Sequence, residues 1–210
     1  MSQVKPGAKG VPYDQRLAAL LVRPLARTPI TPNQLTGLGF ALAALAAWLL
    51  AEGRFELGAG LFMLAVFWDH LDGELARLTR RTSRLGHYLD YVVGSANYTM
   101  MYLGAGIGLA AGELGHAALA LGIAAALANP AVVAVRLVNE RRHGSEAVAH
   151  PYVAGFEIED FVYLIGPLAW LGWFDIFFVA FALGALGYLV WQSGELVRRE
   201  KAARAAGHTP

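Results

Sequence analysis

The 210 residues include no cysteine. That excludes disulfides, thiolate metal ligands and a cysteine nucleophile. Charge is scarce as well: Asp, Glu, Lys and Arg make up 16% of the chain, too few to cover the surface of a soluble globule. No stretch alternates apolar and polar residues at the period of a strand. There is no internal repeat, P-loop, GxSxG elbow or HExxH motif. The basic clusters follow the ends of apolar runs instead of forming a groove, so nucleic acid is not an expected partner.

Long apolar runs dominate: 56% of residues are hydrophobic and mean hydropathy is +0.44. Six runs, at about 33–52, 57–79, 85–112, 115–139, 157–172 and 174–197, approach or reach the ~20 residues that a membrane-spanning helix needs. The fold class expected is therefore an all-α integral membrane protein of six transmembrane helices. Residues 13–27, YDQRLAALLVRPLAR, place apolar and basic positions at helical spacing and predict an N-terminal amphipathic interfacial helix on the inner leaflet. The domains expected are a tail and surface helix (1–30), a six-helix catalytic domain (31–200) and a basic tail (201–210). The first apolar run follows a basic, Pro- and Gly-containing start without an A-x-A site, so no cleavable signal peptide is expected. All but Arg54 of the 17 Lys and Arg residues lie in the termini, at 77–84 or at 136–142. The positive-inside rule then puts both termini and the 77–84 connection in the cytoplasm, as in a bacterial or archaeal inner membrane.

Against this apolar background stands DHLDGELARLTRRTSRLGHYLDYVVG, residues 69–94. Asp69 and Asp72 are i and i+3, so on a helix they share one face. Gly73 and Ala76 keep that face low, and Arg77 ends it with a cation. Beyond a basic turn, Gly86 and Asp90 are i and i+4 on a second helix. Ionisable groups inside membrane segments are costly and mark functional sites. Carboxylates converging from two helices make an oxygen-rich site for a hard divalent cation, Mg²⁺ or Mn²⁺, together with a phosphorylated ligand. His70 points off the aspartate face and reads as a packing histidine. Arg80, Arg81 and Arg84 read as topology signals.

Other polar residues have two readings each. Thr31 or Asn33 can cap the first span. Asn97, beyond Asp90 on the same helix, suits either a ligand role or an interhelical hydrogen bond. Arg136 suits snorkelling or binding of an acceptor phosphate. Pro130 predicts a kink in the fourth span. Glu157, Glu159 and Asp160 open the fifth span, more acids than a helix dipole calls for.

The 69–94 stretch resembles the signature of the CDP-alcohol phosphotransferase family, D-x2-D-G-x2-A-R-x8-G-x3-D-x3-D. It matches at Asp69, Asp72, Gly73, Ala76, Arg77, Gly86 and Asp90, with Gly94 where the family has its last aspartate. The resemblance implies transfer of a phosphatidyl or other substituted phosphoryl group from a CDP-alcohol, such as CDP-diacylglycerol, to an alcohol, with release of CMP. It further implies metal ligands Asp69, Asp72 and Asp90, and substrate contacts from Asn33, Gly73, Ala76, Arg77 and Gly86. A homodimer is also implied. The family assigns its last aspartate to the general base. With Gly94 there, Glu157 and Asp160 become the candidates to replace it. The alternatives are a degenerate relative that binds without turnover, a prenyltransferase-like diphosphate enzyme, and a transporter.

Overall fold

A computed structural model describes residues 13–80, 84–144, 152–153 and 156–205. Among these, the chain forms seven α-helices: α1 (Tyr13–Leu25), α2 (Pro32–Ala51), α3 (Phe55–Leu78), α4 (Arg84–Leu109), α5 (Gly115–His143), α6 (Ile165–Trp170) and α7 (Phe174–Ala205). Two two-residue strands, β1 (Tyr152–Val153) and β2 (Phe156–Glu157), pair antiparallel with Tyr152 opposite Glu157. They are too short to leave a periodic signal in the sequence.

Three of the expected spans are helices long and apolar enough to cross a membrane: Pro32–Ala51, Gly115–His143 and Phe174–Ala202. α3 and α4 have 24 and 26 residues, ample at ~1.5 Å per residue, but each includes part of the polar 69–94 stretch. The 157–172 run departs most from expectation. It begins in β2, continues as a 3₁₀ helix (Ile158–Leu164), and is α-helical only over the six residues of α6. Gly172 follows at φ 79°, a left-handed conformation that glycine adopts without strain.

Local chemistry explains where α2 starts. Thr31 accepts from the Gln34 amide, the Gln34 side chain accepts from the Thr31 amide at 2.9 Å, and Pro32 occupies the first helical position. Pro130 lies inside α5. Proline has no N–H for the carbonyl four residues earlier, that of Ala126. The Thr99 hydroxyl of α4 donates to that carbonyl instead, at 3.3 Å. Asn129 beside it donates to the Ser95 carbonyl at 2.9 Å. α4 and α5 are thus fastened at the break in the helical ladder.

Two apolar clusters carry the packing. The larger gathers Phe62 of α3, Met101 and Tyr102 of α4, Ile165 of α6 and Phe178 of α7. The smaller joins Ala18 and Val22 of α1 to Leu35 of α2 and to Leu71 and Leu75 of α3, at the end of the bundle that bears the aspartates. α1 buries Ala18 and Val22 there and leaves Leu17, Leu20 and Leu21 exposed.

α2 packs closely against α4. A Cβ at Gly104 would lie 2.2 Å from the Ala47 carbonyl oxygen, and one at Gly108 would lie 1.9 Å from that of Leu50. The two helices run parallel and touch backbone to backbone at this end, which only glycine permits. Toward the aspartate end, a Cβ at Gly94 would meet nothing within 4 Å. α4 is therefore tightly seated at one end and borders open space at the other.

Candidate metal centre

α3 and α4 bring Asp69, Asp72 and Asp90 together. One carboxylate oxygen from each lies within 4.8 Å of the others. The helical i, i+3 spacing sets the first pair, and α4 contributes Asp90. Asp72 is buried, Asp69 is half-buried and Asp90 is exposed, so the cluster opens to one side. Asp72 has the Thr36 hydroxyl of α2, Asp90 and His70 as its neighbours. The hydroxyl itself donates to the Pro32 carbonyl at 3.1 Å. The Asp72 Oδ2 atom is buried and has no hydrogen-bond partner.

A buried carboxylate oxygen without a donor is costly unless a cation compensates it. Three carboxylates this close, from two helices and all oxygen ligands, form the donor set a hard divalent cation takes. The residues therefore fit a metal.

The remaining predicted residues divide into those beside the cluster and those the structure does not bring to it. Gly73 and Ala76 are half-buried on α3, next along the Asp72 face. Arg77 donates to Glu74 at 2.7 Å, with its guanidinium 3.6 Å from where a Gly73 Cβ would stand. The Arg77 side chain is 58% exposed, so the ion pair with Glu74 is weak and the cation can exchange it for another anion. Gly86 is half-buried one turn before Asp90. Asn33 is exposed near the start of α2, and the cap there is Thr31, which leaves the Asn33 amide free of that duty.

His70 Nδ1 lies 3.0 Å from the Val66 carbonyl, which can only accept, so this nitrogen holds the proton. That agrees with a packing role. The Tyr163 hydroxyl approaches the same nitrogen at 3.5 Å, which places the 3₁₀ helix beside α3 at the level of the aspartates. Glu157 lies in β2 and Asp160 in the 3₁₀ helix. Their side chains lie outside the described residues.

Two asparagines stand out more than the sequence indicated. Asn97 of α4 is 5% exposed with an unpartnered Oδ1. Asn139 of α5 is fully buried with neither side-chain polar atom partnered. The only sequence signal was a polar residue within an apolar run, which does not reveal whether a partner faces it.

A family model described as CDP-alcohol phosphatidyltransferase matches residues 29–193. The chain is 44% identical over 97 residues to a bifunctional IPC transferase and DIPP synthase of Rubrobacter xylanophilus, a match covering 44% of this chain and 22% of that protein. It is 34% identical over 84 residues to an archaetidylinositol phosphate synthase of Pyrococcus horikoshii, covering 40% of this chain and 45% of the relative. The matched stretch thus spans less than half of either relative. The fold is similar to that of a phosphatidylinositol phosphate synthase of Mycobacterium tuberculosis solved with CDP-DAG bound, with a TM-score of 0.67 at 19% identity, over 86% of this chain and 94% of that one.

Proposed function

The chain belongs to the CDP-alcohol phosphatidyltransferase family, and from that premise we propose that it transfers a phosphatidyl or other substituted phosphoryl group from a CDP-alcohol to a hydroxyl acceptor, releasing CMP. The observation that carries the reading is the meeting of Asp69, Asp72 and Asp90 within 4.8 Å, at the family's spacing. CDP-diacylglycerol is the donor to test first. Inositol phosphate is the first acceptor, because relatives with this fold or sequence are named as inositol phosphate lipid synthases.

Asp69, Asp72 and Asp90 would hold Mg²⁺ or Mn²⁺, which when bound neutralises a diphosphate and stabilises negative charge on a leaving oxygen. Gly73, Ala76 and Gly86 keep the helix surfaces low enough for the nucleotide to lie close. Asn33 offers an amide at its edge. Arg77 exchanges Glu74 for a phosphate oxygen, a partner that guanidinium suits well. The acceptor oxygen attacks phosphorus, the new P–O bond forms, and the bond from phosphorus to the CMP oxygen breaks with its electron pair leaving on CMP. The acceptor's proton passes to Glu157 or Asp160. Asp160 stands one 3₁₀ turn before Tyr163, whose hydroxyl reaches His70 between the two α3 aspartates, so it is the nearer of the two in sequence to that level.

The same reading places six helical elements in the bilayer, with α1 on its cytoplasmic surface, the domain limits given above, and both termini and the aspartates on the cytoplasmic side. It includes a homodimer. A second reading is favoured by Gly94: a relative that binds CDP-alcohol and metal without turnover. Purified protein incubated with CDP-diacylglycerol, Mn²⁺ and a panel of acceptors decides between them. Acceptor-dependent CMP release supports transfer. Retained CDP-alcohol binding without CMP release from any acceptor overturns it in favour of the second reading.

A further inference from the structure

The end of the bundle away from the aspartates holds a cavity of about 610 Å³, within the size range of ligand sites. It lies between the α2–α3, α4–α5 and α6–α7 connections. Arg54, one of its lining residues, is ~22 Å along α3 from Asp69 at ~1.5 Å per residue, so this is not the metal centre. The protein itself ties the walls together. Phe55 stacks on Phe174 with ring centroids 4.7 Å apart, and the Trp170 indole donates to the Glu56 carbonyl at 3.1 Å. Trp48, Trp170 and Trp173, each more than half exposed, stand at the same end. Exposed tryptophans mark the depth of lipid headgroups.

Both signs of charge line this cavity: Arg54, with Glu56, Glu113 and Asp175. Arg54 is also the one Lys or Arg outside the termini and the 77–84 and 136–142 clusters. Among the described residues, none of these four side chains makes a hydrogen bond or ion pair. The three acids do not converge on one point either. Among the described residues, only Asp69, Asp72 and Asp90 bring three carboxylates within reach of a single ion. A metal ion is therefore a poor fit. Separated charges of opposite sign suit an extended ligand that carries a phosphate for the guanidinium and an ammonium for the carboxylates. Exposed Leu57, also in the lining, offers apolar surface to a lipid's acyl chains.

We propose that this cavity seats the headgroup of one phosphatidylethanolamine molecule from the leaflet at this end of the bundle, its phosphate on Arg54 and its primary ammonium among Glu56, Glu113 and Asp175. An anionic headgroup would meet three carboxylates for one guanidinium. A choline headgroup cannot donate a hydrogen bond to a carboxylate and is recognised by an aromatic cage instead. Here the Phe55 and Phe174 rings are stacked on each other. In the orientation proposed above, the leaflet is the outer one; the seat itself does not depend on that orientation or on the transfer reading.

The full chain in maltoside micelles with Mn²⁺ is titrated with palmitoyl-oleoyl phosphatidylethanolamine, phosphatidylcholine or phosphatidylglycerol. Lipid retained per chain is counted by native mass spectrometry, and melting is followed alongside. One phosphatidylethanolamine per chain is expected to be retained and to raise the melting temperature. It should bind about tenfold more tightly than the other two lipids, the worth of one charge-assisted hydrogen bond. Arg54→Ala, and the paired Glu113→Gln, Asp175→Asn variant, are each expected to weaken it by a similar factor while Mn²⁺ still raises the melting temperature. Glu52→Gln removes an exposed acid of the same connection that does not line the cavity, and is expected to leave binding within about twofold. Soluble glycerophosphoethanolamine is expected to compete weakly. Equal affinity for the three lipids, binding unchanged by Arg54→Ala or by the paired variant, or an equal loss in Glu52→Gln would overturn the proposal. Glycerophosphoethanolamine binding as tightly as the lipid would overturn the lipid as occupant. If the variants do not fold, the headgroup preference of the wild-type chain decides. No CDP-alcohol or acceptor is present, so a chain that releases no CMP yet selects phosphatidylethanolamine through Arg54 fails the transfer reading and keeps the lipid seat.

Discussion

Replacing Gly104 by alanine introduces one methyl group where the structure has no room. Its Cβ would lie 2.2 Å from the Ala47 carbonyl oxygen, 2.9 Å from the carbonyl carbon and 3.0 Å from Cα. At Gly108 the nearest oxygen, that of Leu50, is 1.9 Å away. Real Cβ contacts stop at about 3.0 Å, so α2 and α4 would have to separate by about 0.8 Å at the first site and 1.1 Å at the second. Both obstacles are backbone, which cannot rotate aside. Overpacking of this kind costs roughly 1–3 kcal/mol. Alanine's better helix propensity returns up to ~1 kcal/mol. Gly94→Ala is the control, since the same methyl group meets nothing and only the propensity gain remains. In detergent, with melting followed by size-exclusion fluorescence, Gly104→Ala and Gly108→Ala are expected to melt several degrees below wild type, at ~2–4 °C per kcal/mol for a chain of this size. Gly94→Ala is expected at or above wild type. Because Gly104 is ~20 Å along α4 from Asp90 at 1.5 Å per residue, the extra stability Mn²⁺ confers should survive in the alanine variants. Should Gly104→Ala melt with or above Gly94→Ala, the backbone contact between α2 and α4 is not as described.

Three other outcomes follow from the site and the caps. Mn²⁺ at about a hundred times its Kd should add ~2.7 kcal/mol to wild-type stability; Asp72→Asn should lose that response, yet melt no lower than wild type in EDTA, because one of three crowded anions is gone. A Mn²⁺ response retained by Asp72→Asn would remove Asp72 from the ligand set. The Glu157→Gln, Asp160→Asn double variant should lower CMP release by the ~10²–10⁴-fold a positioned base contributes, and adding Gly94→Asp should restore part of it; a fully active double variant would exclude both acids. Thr31→Ala removes the α2 cap and should destabilise by about 1 kcal/mol, measured by the same melting assay, whereas Asn33→Ala should leave stability unchanged.

Much of the site was legible in the sequence because it depends on local geometry. Asp69 with Asp72, and Gly86 with Asp90, share faces by helical periodicity alone. The cap of α2 was narrowed to Thr31 or Asn33, and the structure gives it to Thr31, paired with Gln34. The 157–172 run misled for the opposite reason: its hydropathy suits a span, but its backbone enters from a strand pair and winds as 3₁₀ helix before six α-helical residues. Composition does not report that winding. At Pro130 the sequence shows only that one helical hydrogen bond is lost; that the Thr99 hydroxyl, 31 positions away in the chain, donates to the Ala126 carbonyl left over is decided by the packing of α4 on α5.

By itself the sequence determined that the chain is helical and apolar, and that its carboxylates lie at spacings suited to one cation, since all three follow from the period of a helix and the cost of burying charge. Only the tertiary structure decided that α2 and α4 touch through glycine at one end while α4 borders open space at the other, and that Asn97 Oδ1 is buried without a partner. Those facts depend on which distant backbone atoms meet which small residues, and no local period encodes that.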